Sequence, residues 1–274
     1  MFSRSLRLAR ASWSVIRAQR ELLMLPVVSF FTILLSLAAV GVPAYLAVLV
    51  AGGSDTLMWV AGAVLTYVAV AVALFFQTAM VAAAHDHMDG RDPTLGSSLS
   101  KAVSLLPQIL GWSLVVTFVK LVLRWLRDRG TLGDLLANLA DAAFTFATYI
   151  TVPVLVAERL GPIAALKRSA NLLRKTWGEN IIGRVGISAV TFLLMLGAIA
   201  VGVAGGFVAA TVSVGLGIGV VAVAVLGIVC VVVLSTALNA VYQTALYRYA
   251  VGASVEGFGE VDLVLAFRRK ATMY

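Results

Sequence analysis

Six polar residues of this 274-residue chain fall into two matched sets. Lys120, Arg124 and Arg127 are spaced i, i+4, i+7, and so are Asp134, Asn138 and Asp141. On a helix each set occupies one face. Folded about Gly130–Thr131, the faces meet as Lys120–Asp141, Arg124–Asn138 and Arg127–Asp134, each pair nearly equidistant from the turn. Charges near a membrane are costly unless paired, so mutual neutralisation is the first chemistry this ladder suits. The alternative is an anion site for a lipid headgroup or an anionic solute.

His85-Asp86-His87-Met88-Asp89-Gly90-Arg91-Asp92 is a second cluster, with the residue types of a metal centre. On a continuing helix His85 and Asp89 share a face while His87 points elsewhere, so three ligands would require a broken helix. Neither an H-E-x-x-H motif nor paired cysteines accompany it. A polar turn fits better, and no metal or other cofactor is expected. Gln77, Asn239 and Gln243 lie inside apolar runs, where amides need protein partners or a wet cavity. Nucleophile-elbow, P-loop and dinucleotide motifs are absent, and the Ser and Thr residues have no His or acidic partner at the same membrane depth. The chain therefore reads as non-enzymatic.

Composition says what holds these residues. The chain is 61% hydrophobic and 12% charged, against about 45–50% and about 25% in soluble domains. Its mean hydropathy is +1.00. A soluble enzyme, a disordered chain and a disulfide scaffold are excluded, and the single cysteine is Cys230. Crossing the hydrocarbon core takes about 20 apolar residues. Six stretches qualify, at approximately 22–50, 58–84, 108–127, 135–157, 181–209 and 214–249. The first far exceeds the about 7–15 apolar residues of a signal peptide, so it reads as an uncleaved span. Pro26, Pro43 and Pro153 lie within spans and predict kinks.

Net charge is +8. Seventeen of the 21 Lys and Arg residues fall at the N-terminus, after span two, around the exit of span four or at the C-terminus. Only Lys120, Arg124, Arg127 and Arg129 lie on the other side. The positive-inside bias places both termini in the cytoplasm, in a bacterial inner membrane, and accounts for the charge without nucleic-acid binding.

The spans come in repeating units. Leu166-Lys-Arg168-Ser-Ala-Asn-Leu172-Leu173 before span five parallels Leu99-Ser-Lys101-Ala-Val-Ser-Leu105-Leu106 before span three, and Leu8-Ala-Arg10-Ala-Ser-Trp-Ser-Val15 is a looser copy. Gln77-Thr-Ala-Met80 likewise parallels Gln243-Thr-Ala-Leu246. The reading is a single all-α polytopic membrane domain over 1–274, with six transmembrane helices in pseudo-threefold repetition. Each unit is a cytoplasmic interfacial amphipathic helix followed by two spans, at about 1–91, 92–160 and 161–250, and a last amphipathic helix covers about 260–271. In the last unit Ile163, Leu166, Ala170, Leu173 and Trp177 form the apolar face, opposite Arg168, Asn171 and Lys175. In the first, Leu6, Ala9, Trp13 and Ile16 do, with Arg7, Arg10 and Arg17 outside. Such helices rest apolar face down, so Arg7, Arg10, Arg17, Arg168 and Lys175 are candidates for anionic lipid headgroups.

Gly161-Pro-Ile-Ala-Ala-Leu-Lys-Arg-Ser-Ala-Asn-Leu-Leu-Arg-Lys175, followed by a long span, resembles the hallmark of a broad set of bacterial six-span membrane proteins. The set includes the membrane domain attached to some glycerophosphodiester phosphodiesterases. The resemblance implies the architecture and a lipid-related setting; it carries over no catalytic residue, and the phosphodiesterase domain is absent from this sequence.

Ala198, Gly202 and Gly206, and Gly215 and Gly219, recur every four residues in spans five and six. Such stripes let backbones approach closely, within the hairpin or between copies as a homo-oligomer. The functional expectation is a non-catalytic multi-pass protein that organises lipid or serves as partner subunit of a membrane complex. The alternative is a transporter or channel for a small solute or lipid.

Overall fold

The computed structural model of the chain describes residues 24–177, 195–207, 211 and 213–253. Among them all regular structure is helical. The helices are α1 (Met24–Val50), α2 (Asp55–Met88), α3 (Leu95–Ser104), α4 (Leu106–Arg127), α5 (Thr131–Ala147), α6 (Thr151–Glu158), α7 (Pro162–Trp177), α8 (Met195–Phe207) and α9 (Val214–Ala250).

Local chemistry sets the boundaries. The turn between α1 and α2 uses Gly52 and Gly53, both with φ near +75°, a region glycine enters freely. Asp55 opens α2, where a negative charge suits the positive end of the helix dipole. Thr94 and Ser97 cap α3 reciprocally: Ser97 N donates to Thr94 Oγ1 at 3.1 Å and Thr94 N to Ser97 Oγ at 3.0 Å. Pro107 lies in the first turn of α4, where its missing N–H costs nothing. Gly130, at φ +88°, turns the chain into α5. Three residues on, a Cβ on Gly133 would fall 2.3 Å from the Leu126 carbonyl oxygen, so the α4–α5 hairpin closes only around a glycine.

Among the described residues five segments are long and apolar enough to cross a membrane: α1, α2, α4, α5 with α6, and α9. They correspond to spans one to four and six of the sequence. Of span five the described part is α8; residues 178–194, the N-terminal amphipathic segment and the helix expected at 260–271 lie outside the described residues. Pro153 produces more than the kink expected. Its ring opposes the carbonyl four residues earlier, at Tyr149, and the helix is interrupted at 148–150. Thr148 N still bonds Phe144 O, and Val154 N bonds Ile150 O as α6 starts afresh. Pro43, by contrast, is contained within α1.

α2 is the hub, touching α1, α3, α4, α6 and α9. Two apolar clusters form around its C-terminal half. One joins Ala84 and Met88 to Trp112, Val154, Leu173 and Tyr242; the other joins Phe76, Ala79 and Ala83 to Leu25, Ala102 and Ile109. Packing thus concentrates where α2, α6 and α9 end and α3 and α7 lie, hereafter the junction end. The opposite end, with the turns 51–54 and 128–130, is the hairpin end. Towards it the long helices expose apolar side chains such as Leu57, Val60, Val64, Ile218, Val221 and Val225.

α7 buries Ala165, Ser169, Leu172 and Leu173, which share one face. Ile163, placed on the apolar face by sequence, is 52% exposed instead. The buried face is rotated because Ser169 packs inward: its hydroxyl donates to the Ala147 carbonyl at 2.7 Å, so a polar residue is accommodated in the core.

Candidate functional site

At the junction end the polar residues closing α2 meet cations from three directions. Asp86 is buried, receiving Lys101 of α3 on Oδ2 and Arg91 on Oδ1 at 2.6 Å. Arg91 also reaches Asp89 Oδ2 at 2.8 Å. Arg248, near the end of α9 and only 5% exposed, contacts Asp89 Oδ1 and lies 3.0 Å from His85 Nδ1. A guanidinium has only hydrogens to offer, so His85 Nδ1 is the acceptor and its ring proton sits on Nε2. Partial burial pushes the Asp89 pKa up, but the hydrogen bond and charge of Arg248, with Arg91, outweigh it and hold the carboxyl below its usual range.

A second knot ties α6, α7 and α9. Arg168 Nε bonds Glu158 Oε1 and Oε2 at 3.0 and 3.1 Å, and Tyr247 donates its hydroxyl to Glu158 Oε1 at 3.1 Å. Arg168, assigned by sequence to lipid headgroups, is therefore engaged by protein, though its side chain stays 44% exposed. Arg7, Arg10 and Arg17, and the side chain of Lys175, lie outside the described residues.

Between the ends, Gln77 Nε2 donates to Gln243 Oε1 at 3.1 Å, joining α2 to α9. Asn239 turns back on its own helix, donating to the Ser235 carbonyl at 2.8 Å.

The hairpin end differs from the ladder drawn from sequence. Lys120 Nζ donates to Asp141 Oδ1 at 3.0 Å, but the other two rungs are not formed. Arg127 also takes Asp141, at 3.6 Å on Oδ2. Asp134 is left to Asn138, whose amide reaches it at 3.4 Å. Arg124 turns away from α5 to α2, where its guanidinium lies 4.9 Å from the Trp59 ring centroid. The hairpin symmetry behind the predicted rungs considers α4 and α5 alone, whereas α4 also packs on α2.

The glycine stripe brings α8 onto α9. A Cβ on Gly202 would sit 2.5 Å from Ala224 Cβ, and one on Gly205 would sit 3.2 Å from Val220 Cγ1, whereas Gly219 faces open space. Between these helices runs an apolar groove of about 630 Å³ lined by Gly197, Val201, Leu216 and Val223.

Sequence reasoning missed Arg248, Glu158, Asp86 and Lys101 as interacting residues. A signal for Arg248 was present: Gln77 aligns with Gln243, and helices running in parallel from that pair bring the end of α9 beside the end of α2.

What these groups do chemically is bind and neutralise charge. No curated protein and no solved structure matches the chain. Residues 57–258, spanning α2 to α9 and somewhat beyond, match a described family. The chain belongs to that family, a family of unknown function (DUF6159).

Proposed function

We propose that the protein is a non-catalytic multi-pass membrane protein that organises lipid or serves as the partner subunit of a membrane complex. The observation that carries this reading is the polarity of the charge network. At the junction end Asp86 takes Lys101 and Arg91, Asp89 takes Arg91 and Arg248, and Glu158 takes Arg168, so each of these carboxylates has a cation. Groups paired in this way fix helices together and are not poised to shuttle protons or ions.

Six crossings with both termini cytoplasmic, and α3 and α7 lying along the cytoplasmic leaflet, complete the reading. Support for repetition between its second and third units comes from burial in register. Ser98 and Ala102 of α3 and Leu105 just after it are buried, and so are Ala165, Ser169 and Leu172, sixty-seven positions later in α7. Lys167, Arg168 and Arg174 stand on the exposed side of α7, where cations meet anionic headgroups.

The test is purification in polymer-excised native membrane, with mass spectrometry of what stays bound, beside solute-flux assays in proteoliposomes. Retained anionic lipid or a stoichiometric protein partner, without flux, is the expected result. Protein-dependent flux of a solute would overturn the reading in favour of transport. Reporter fusions at Tyr274 and Ser54 should report opposite sides of the membrane.

A further inference from the structure

The four cations of the hairpin end divide into two kinds. Lys120 and Arg127 share the Asp141 carboxylate. Arg124 and Arg129 instead lie on indoles: Arg124 Cζ is 4.9 Å from the Trp59 centroid and Arg129 Cζ is 4.0 Å from that of Trp125. Asp55, Asp128 and Asp134 belong to the same end, yet among the described residues no carboxylate comes within ion-pair distance of either guanidinium.

A guanidinium lying on an indole is held by the ring's negative face while the N–H groups around its rim stay free. That planar fork matches two oxygens of a phosphate, and a half-shielded position strengthens the bond relative to open water. Trp59 and Trp125 are 50% and 54% exposed beside exposed apolar side chains such as Leu57, Val60 and Val122, and tryptophan favours the headgroup layer. The positive end of α5 points into the same turn, with no side chain capping it. Arg124 and Trp125 are consecutive on α4, so the two stacks stand at the same level of the hairpin end, on faces of the helix about 100° apart.

We propose that the hairpin end binds phosphate, Arg124 on Trp59 and Arg129 on Trp125 each taking the phosphodiester of an anionic phospholipid headgroup in the adjacent leaflet. This rests on the non-catalytic, lipid-organising reading and extends it to the end opposite the cytoplasmic cations. Each arginine donates to its own phosphate, and the indole beneath it holds the fork in advance, so less side-chain ordering is left for the moment of binding.

The test uses the full-length protein in nanodiscs of phosphatidylcholine with a minor share of phosphatidylglycerol. Retained phosphatidylglycerol is measured by mass spectrometry, and inorganic phosphate is titrated calorimetrically into phosphatidylcholine-only discs. Arg124→Gln and Arg129→Gln should each weaken phosphatidylglycerol retention, by about tenfold at the position it removes, the loss of one charge-assisted contact. Trp59→Leu keeps every charge and should weaken it too, which diffuse electrostatic attraction would not require. Size-exclusion profile and melting temperature show that each variant is folded; Arg124→Lys, with its charge kept and its fork lost, is the substitute should the Gln variant fail to fold, and should also weaken retention.

Saturable, Arg124-dependent binding of inorganic phosphate with no preference for phosphatidylglycerol would support the phosphate site and assign it to a soluble source instead of lipid. Retention unchanged in the arginine and Trp59 variants, with no phosphate binding, would overturn the site while leaving lipid organisation standing. A wild-type protein that holds no anionic lipid, and that drives solute flux, would overturn the broader reading as well.

Discussion

Lys101 of α3 and Arg168 of α7 hold matching posts: each short helix is tied by one cation to a carboxylate near the end of the preceding apolar helix. Lys101 takes Asp86 and Arg168 takes Glu158. The shared arrangement makes these pairs the joints that set the short helices against the bundle, and it orders their expected energetics. Asp86 is the more buried carboxylate and holds two cations. Asp86→Ala should lower unfolding free energy by about 1–2 kcal/mol, since it removes two ion pairs at once, although Lys101 and Arg91, 41% and 61% exposed, can turn to water. Glu158→Ala should cost less, because among the described residues it holds the single cation Arg168, itself 44% exposed. Denaturant titration in detergent, followed by tryptophan fluorescence, separates the two.

Acid should loosen the junction end through Asp89. Its folded pKa lies below that of the unfolded chain, so its contribution is complete above about pH 4 and disappears as pH falls through the depressed value. Melting temperature followed from neutral to acid pH should decline more steeply in the wild type than in Asp89→Asn. Identical acid limbs would remove Asp89 from the account.

The amide pair of α2 and α9 should behave as a unit. Gln77→Leu alone leaves the Gln243 amide without its partner and should cost about 1 kcal/mol, whereas Gln77→Leu with Gln243→Leu should recover most of it. A double-mutant cycle reads the coupling; strictly additive losses would show that the hydrogen bond contributes nothing.

Lys120 and Asp141 should couple by less than about 1 kcal/mol, because the Lys120 side chain is 48% exposed and Arg127 stands ready on the same carboxylate. Asp141→Ala should therefore cost more than Lys120→Met, and Asp134→Ala should leave Arg127 undisturbed. Thermal unfolding of the three variants ranks them.

Gly202→Val should destabilise the α8–α9 contact by about 1–3 kcal/mol through overpacking, since its Cβ would meet Ala224 at 2.5 Å. Gly219→Ala, facing open space, should be neutral or slightly stabilising. Melting temperatures and elution volumes of both variants check this, the elution volume also reporting whether the stripe holds two copies together.

How far the sequence discloses this molecule depends on the distance over which each interaction is specified. Apolar length alone marks the long helices, and local turn chemistry marks the hairpin at Gly130. Lys120 and Asp141 meet because a hairpin is a short-range object whose register follows from its turn. Arg124 leaves that scheme for Trp59, whose contact depends on how two separate hairpins pack. Arg248 escapes for the same reason, its partners His85 and Asp89 lying on a helix more than a hundred and fifty residues earlier. Pro153 was visible as a disturbance, but whether a proline bends a helix or interrupts it depends on what neighbours do for the freed carbonyls.

Rods of this length, packed most densely toward one end, are levers. At 1.5 Å per residue α2 rises about 51 Å and α9 about 55 Å, against about 30 Å of hydrocarbon. Near the junction their side chains interlock, while toward the hairpin turns their apolar side chains are exposed. A thinner or thicker bilayer is met by tilting, at fractions of a kcal/mol per ångström, and the tilt pivots on the densely packed end. The spread of the far ends is then governed by membrane thickness, so the outline the protein presents at that face changes with the lipid around it while the charged joints stay closed.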